Sequence, residues 1–131
     1  MKRKIALLGF LLACQQVKTS QKDKQVVRWD YLLQTWIFLE NDEKTGINTY
    51  RTKEYDFPPA RGRNAYDFQK SGKVIFHTNS PTDRPISLEG TWKLDTLRQV
   101  VCIYLDEKNK EKNHCLKIRT LEADKMTAEW R

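Results

Sequence analysis

From Ile86 to Asp95 the chain alternates strictly between apolar and polar positions. Ile86, Leu88, Gly90, Trp92 and Leu94 fall on one side of an extended backbone, and Ser87, Glu89, Thr91, Lys93 and Asp95 on the other. A helix would scatter these positions around its axis, whereas a strand with one buried face sorts them with a period of two. The same period continues downstream. Val101, Ile103 and Leu105 share a face, Leu116 and Ile118 do so after a polar turn from Asp106 to Asn113, and Met126, Ala128 and Trp130 close the chain. Upstream the rhythm is noisier. Thr35–Leu39 is apolar on both faces, and Ile47–Phe57 is long and polar around Tyr50 and Tyr55. Asn64–Gln69 carries Tyr66 and Phe68, and Lys73–Thr78 carries Val74, Ile75 and Phe76. Lys70-Ser71-Gly72 supplies turn chemistry between those two, and the prolines of Pro58–Arg63 mark a loop. Val26–Leu33 has room for a helical turn or two. The segments predict eight strands in an all-β domain, each paired with its neighbour in sequence. Eight is a number at which an antiparallel meander closes and removes its exposed edges. The economical architecture is therefore an eight-stranded antiparallel up-and-down barrel, with an open or sandwiched sheet as the alternative.

The first residues follow a different logic. Lys2, Arg3 and Lys4 precede a run from Ile5 to Ala13 that is apolar apart from Gly9. Nine residues of helix rise only about 14 Å against roughly 30 Å of hydrocarbon, so the run is too short to span a bilayer. A basic start, a short apolar stretch and a small residue at its end describe a secretory signal. Leu11-Leu12-Ala13-Cys14 resembles the bacterial lipobox, which implies a signal peptide over residues 1–13 and a palmitate-type lipid on Cys14. Residues 14–27 then read as a polar tether and residues 28–131 as the folded domain. Of 131 residues, removal of the first 13 leaves 118, enough for one domain. The formal net charge of +7 includes Lys2, Arg3 and Lys4, so the remainder carries +4. Those charges are interspersed rather than blocked, and no nucleic-acid partner is implied. The expected location is the bacterial cell envelope, at the outer membrane, with the lipid as the membrane contact.

Export places the two remaining cysteines, Cys102 and Cys115, in an oxidising compartment, where an even pair is a disulfide candidate. Register sharpens this expectation. If Val101 pairs with Leu116 on the buried face of an antiparallel pair, Cys102 stands directly opposite Cys115 on the outward face. Opposed residues have Cβ atoms about 4.5–5.5 Å apart, close to the distance a disulfide requires.

Catalytic chemistry is not visible. His77 and His114 stand in no metal-ligand spacing, and there is no Gly-x-Ser-x-Gly elbow or glycine-rich phosphate loop. Asp42-Glu43 and Asp106-Glu107 lie beside lysines in predicted turns, where solvated carboxylates are the simpler reading. His114 beside Cys115, with Cys102 near, suggests a metal site only if the cysteines are not paired with each other. No catalytic residue, metal ligand or cofactor is expected. Arg61 and Arg63 flank Gly62 in the long loop, an arrangement suited to clamping an anionic group.

Several segments resemble lipocalin-like domains of small bacterial lipoproteins. Leu32-Leu-Gln-Thr-Trp36 is similar to their strand-opening Gly-x-Trp signature, with Gln34 in place of the usual glycine. Tyr66-Asp-Phe-Gln-Lys-Ser-Gly-Lys73 resembles their central hairpin, and Gly90-Thr-Trp-Lys-Leu94 their second Gly-x-Trp-type strand. Leu116-Lys-Ile-Arg-Thr-Leu121 followed by Lys125-Met126 resembles their closing hairpin. The resemblance spans Leu32 to Trp130 and implies a lipocalin-like barrel that binds or transports a small apolar molecule. Trp36, Phe68, Phe76, Trp92 and Trp130 are the candidate lining of such a ligand site. The same aromatics suit a barrel plugged by its own side chains, because eight strands enclose little more than side-chain width. The second functional reading is therefore a macromolecular binder, such as an envelope-assembly partner or a protease inhibitor. Its loops or outer sheet would be the working surface.

Overall fold

The computed structural model describes residues 27–131. The signal segment, Cys14 and all but the last residue of the tether lie outside the described residues. A short 3-10 turn, Trp29–Leu32, precedes eight strands: β1 (Thr35–Asp42), β2 (Ile47–Arg51), β3 (Ala65–Phe68), β4 (Lys73–Asn79), β5 (Pro85–Asp95), β6 (Val100–Leu105), β7 (His114–Leu121) and β8 (Lys125–Trp130). The polar turn after β6 forms a second 3-10 helix, Glu107–Lys112, whose start is capped by the Asp106 carboxylate accepting from the Asn109 N–H. All eight strands pair antiparallel and close into a barrel in the order β1-β2-β8-β7-β6-β5-β4-β3.

Neighbours in sequence are neighbours in space except at one place. β2 and β3 flank β1 on opposite sides instead of pairing with each other. β2 therefore returns to the sheet through β8, where Tyr50 faces Met126 and Asn48 faces Ala128. The strand expected to run to Phe57 ends at Arg51, and the segment 52–64 carries the chain past β1. Arg63 fastens that crossing. Its guanidinium donates to the carbonyls of Phe38 and Leu39 at 3.1 Å each and to that of Pro58 at 2.6 Å. A register shift in β1 between Phe38 and Glu40 accompanies these contacts, as a bulge frees carbonyls that a regular ladder would occupy. Arg63 is thus a structural strap, and Arg61 projects into solvent beside Asp83 at 3.5 Å. The two guanidiniums thus have separate partners, and the anion clamp that their spacing would suit is not assembled.

The alternating positions point as the period of two requires. Trp36, Tyr50, Tyr66, Phe68, Val74, Phe76, Val101, Ile103, Leu116, Ile118, Met126 and Ala128 form one buried cluster inside the barrel. One end of the barrel is closed. Leu32, fully buried in the 3-10 turn, accepts a hydrogen bond from the Trp36 indole N–H at 3.3 Å. Gln34 bridges the turn to the β7–β8 connection by donating to the carbonyls of Tyr31 and Ala123. Where a glycine would open this strand, Gln34 thus ties the plug to the barrel.

Val101 pairs with Leu116, and Cys102 pairs with Cys115. The two cysteines are joined by a disulfide with a Cα–Cα separation of 4.0 Å, in keeping with the closer of the two kinds of antiparallel pair.

Candidate functional site at the barrel mouth

The opposite end of the barrel is open, and its inward-facing positions change character. Below the rim they are apolar. At the rim they are Asn48 on β2, Asn64 just before β3, Thr78 on β4, His114 on β7 and Trp130 on β8. The Thr78 hydroxyl donates to Asn64 Oδ1 at 3.0 Å, and Asn41 Nδ2 donates to Asn48 Oδ1 at 2.6 Å. The rim is asymmetric. β5 pairs with β4 out to Pro85, whereas its pairing with β6 stops at Gly90 opposite Leu105. The Glu107–Lys112 helix stands above β6 and β7 across the mouth from β4.

The floor of the mouth is an aromatic stack. Tyr66 lies 5.0 Å from Phe76, nearly parallel, and Phe76 lies 5.2 Å from the His114 ring. His114 in turn stacks flat on Trp130, with ring centroids 4.0 Å apart and planes within 4°. His114 is 8% exposed and Tyr66 1%, but Trp130 is 50% exposed. One face of the indole is therefore covered by His114 while much of the ring faces solvent.

The hydrogen bonds fix the imidazole tautomer. His114 Nδ1 lies 2.7 Å from the Lys112 carbonyl, which only accepts, so Nδ1 carries the proton. Nε2 is then an acceptor, and the Tyr66 hydroxyl donates to it at 2.7 Å. Burial lowers the His114 pKa below the ordinary imidazole value, opposed by the hydrogen bond to the Lys112 carbonyl. Loss of hydration also pushes the Tyr66 and Tyr50 phenols upward. Both partners are therefore neutral near pH 7, and the pair orders the floor of the mouth.

A recess of about 380 Å³ sits on this floor, bordered by Asn64, Phe76, Thr78, Asn79, Asn113 and Trp130, with Glu111 and Lys112 at its edge. A second, of about 650 Å³, lies on the outer wall over the disulfide, bordered by Lys93, Arg98, Lys117 and Arg131. The cations of the outer recess are largely engaged. Arg98 lies 3.9 Å from Asp95, Arg131 lies 3.6 Å from Glu129, and Lys117 donates to the Arg98 carbonyl.

The five aromatics singled out in the sequence do not form one site. Trp36, Phe68 and Phe76 are buried among other side chains of the core. Trp92 is half-buried at the barrel side, where its indole N–H donates to the Gln69 carbonyl at 2.9 Å and its ring meets Phe68 edge-on. Only Phe76 and Trp130 border the mouth recess. His114 and the cysteines face opposite sides of β7, so they share no metal site, and no cluster of metal-ligating side chains occurs among the described residues. The roles of Tyr66 and His114 left no sequence signal beyond their place on inward-facing positions. Set against known protein families, curated proteins and solved structures, the chain matches none.

Proposed function

We propose that this chain is an exported, lipid-anchored lipoprotein of the bacterial cell envelope, held at the outer membrane through Cys14. Its lipocalin-like barrel acts as a binding module for a macromolecular partner met at the surface. The observation that carries this reading is the filled interior. Trp36 and Val74 are fully buried, and Tyr50, Tyr66 and Phe68 nearly so, each against the others. A small apolar guest of the kind the lipocalin resemblance implies would have to displace these side chains, and creating such a space costs several kcal/mol per large residue removed. The surface offers recesses without that cost. Native mass spectrometry of the protein purified from a bacterial host tests the choice. A barrel free of stoichiometric apolar guest is expected, and a guest bound one to one overturns the reading. Incorporation of radiolabelled palmitate, lost in Cys14→Ser, tests the anchor; a wild-type chain that takes up no palmitate refutes it.

A further inference from the structure

We propose that the mouth recess is a saccharide-binding site that takes a neutral pyranose residue of a glycan, with Trp130 as its stacking platform. The assignment rests on the surface-binding reading above and names its partner class.

The rim residues are the first argument. Polar positions border the recess: Asn64, just before β3, and Thr78 on β4 are joined side chain to side chain. The Thr78 hydroxyl donates to Asn64 Oδ1, and the Asn64 amide nitrogen has no partner among the described residues. Asn113 repeats the arrangement across the mouth. Its Oδ1 accepts from the Leu105 N–H at 2.7 Å, and its amide nitrogen has no protein partner among the described residues. The Asn79 amide also borders the recess and makes no hydrogen bond among the described residues. The recess therefore offers N–H donors, and those of Asn64 and Asn113 are oriented by the hydrogen bonds their oxygens accept.

Trp130 is the second argument. A half-exposed indole would ordinarily sample rotamers, but the flat stack on His114 pins this one, and His114 is itself held by Tyr66 and the Lys112 carbonyl. A rigid aromatic plate beside donor groups suits a ligand with one apolar face and hydroxyl or carbonyl oxygens around its edge. A pyranose ring has that form. The charges at the edge, Glu111 and Lys112, balance, so nothing selects an ion. A nucleobase would also stack on Trp130, and adenosine is therefore the control ligand. The volume, about 380 Å³, lies at the small end of the usual range for ligand pockets, roughly 300–1,000 Å³.

The test uses the full chain and three probes: a linear N-acetylglucosamine trisaccharide, maltotriose and adenosine, each followed by ligand-observed NMR and tryptophan fluorescence. Saturable binding of at least one oligosaccharide is expected, with adenosine unbound. Trp130→Ala should weaken that binding at least tenfold. Because the substitution also removes the cover of His114, Asn79→Ala serves as a second variant. It should weaken binding several-fold with an unchanged thermal midpoint and circular dichroism spectrum. No saturable binding of either oligosaccharide at millimolar concentration overturns the assignment, as does binding that neither variant alters, or adenosine bound in preference. If the oligosaccharides fail while the barrel interior holds no guest, the saccharide assignment falls and the surface-binding reading stands.

Discussion

Removing the Tyr66 hydroxyl isolates the contact that orders the mouth. Tyr66→Phe keeps the ring that packs on Phe68 and Phe76 at 5.7 and 5.0 Å, so little apolar contact is lost. What changes is the 2.7 Å hydrogen bond to His114 Nε2, which no longer has a donor. An ordinary hydrogen bond contributes about 0.5–1.5 kcal/mol net, but a buried acceptor left unpaired costs about 1–3 kcal/mol. With His114 only 8% exposed the larger figure applies, and a loss of about 1–3 kcal/mol is expected. Replacing both partners, Tyr66→Phe with His114→Leu, leaves no orphaned polar atom from the pair. The double variant should therefore cost less than the sum of the two single ones, by more than the ~0.5 kcal/mol scatter of independent sites. Urea unfolding followed by tryptophan fluorescence reads all three values. A Tyr66→Phe cost under about 0.5 kcal/mol, in the range of surface changes, or strict additivity in the cycle refutes the pairing.

The same histidine gives stability a pH dependence. Its folded pKa is lowered by burial, so below about 6.5 the unfolded chain binds the proton more readily than the folded one. Stability from this group is fully present above that value and falls as pH drops toward the lowered folded pKa; a wild-type profile identical to that of His114→Leu between pH 7 and 5 refutes it. The disulfide closes a sequence separation of 13 residues, so Cys102→Ser with Cys115→Ser should lose about 3 kcal/mol. Two reactive thiols in the unfolded, unreduced mature protein, whose Cys14 carries the lipid, would contradict it. Gly90→Ala places a Cβ on the backbone carbonyl of Tyr104 and 3.1 Å from the Leu105 Cα, so it should cost about 1–3 kcal/mol by overpacking; an unshifted thermal midpoint sinks that prediction. Trp92→Ala removes a half-buried ring and its hydrogen bond to Gln69, and should fall near the lower end of the ~3–5 kcal/mol seen for buried aromatics. A cost near zero would place Trp92 outside the sheet register described.

What the sequence determined by itself is everything that depends on facing. A strand has two sides, and the strict alternation of Ile86–Leu94 assigns each residue to one of them. Carried to β6 and β7, the same parity puts Cys102 and Cys115 on the outward face, and the pairing of Val101 with Leu116 sets them opposite each other. It also yields the number of strands and the turns between them. Tertiary structure decided what alternation does not encode. Ile47–Phe57 is polar and aromatic throughout, so its pattern cannot mark where β2 ends. The strand stops at Arg51 because the chain must pass β1 and be strapped to Phe38 and Leu39 by Arg63, a contact across about 25 residues. Inward parity likewise places Tyr66 and His114 inside the barrel without saying that they meet, since 48 residues separate them and closure of the sheet brings them together. Whether five aromatics line a cavity or fill it depends on summed volume against the barrel's width, a property of all eight strands at once. The interior is filled, and the change to asparagine, threonine and half-exposed tryptophan at one rim follows from which strands end together there.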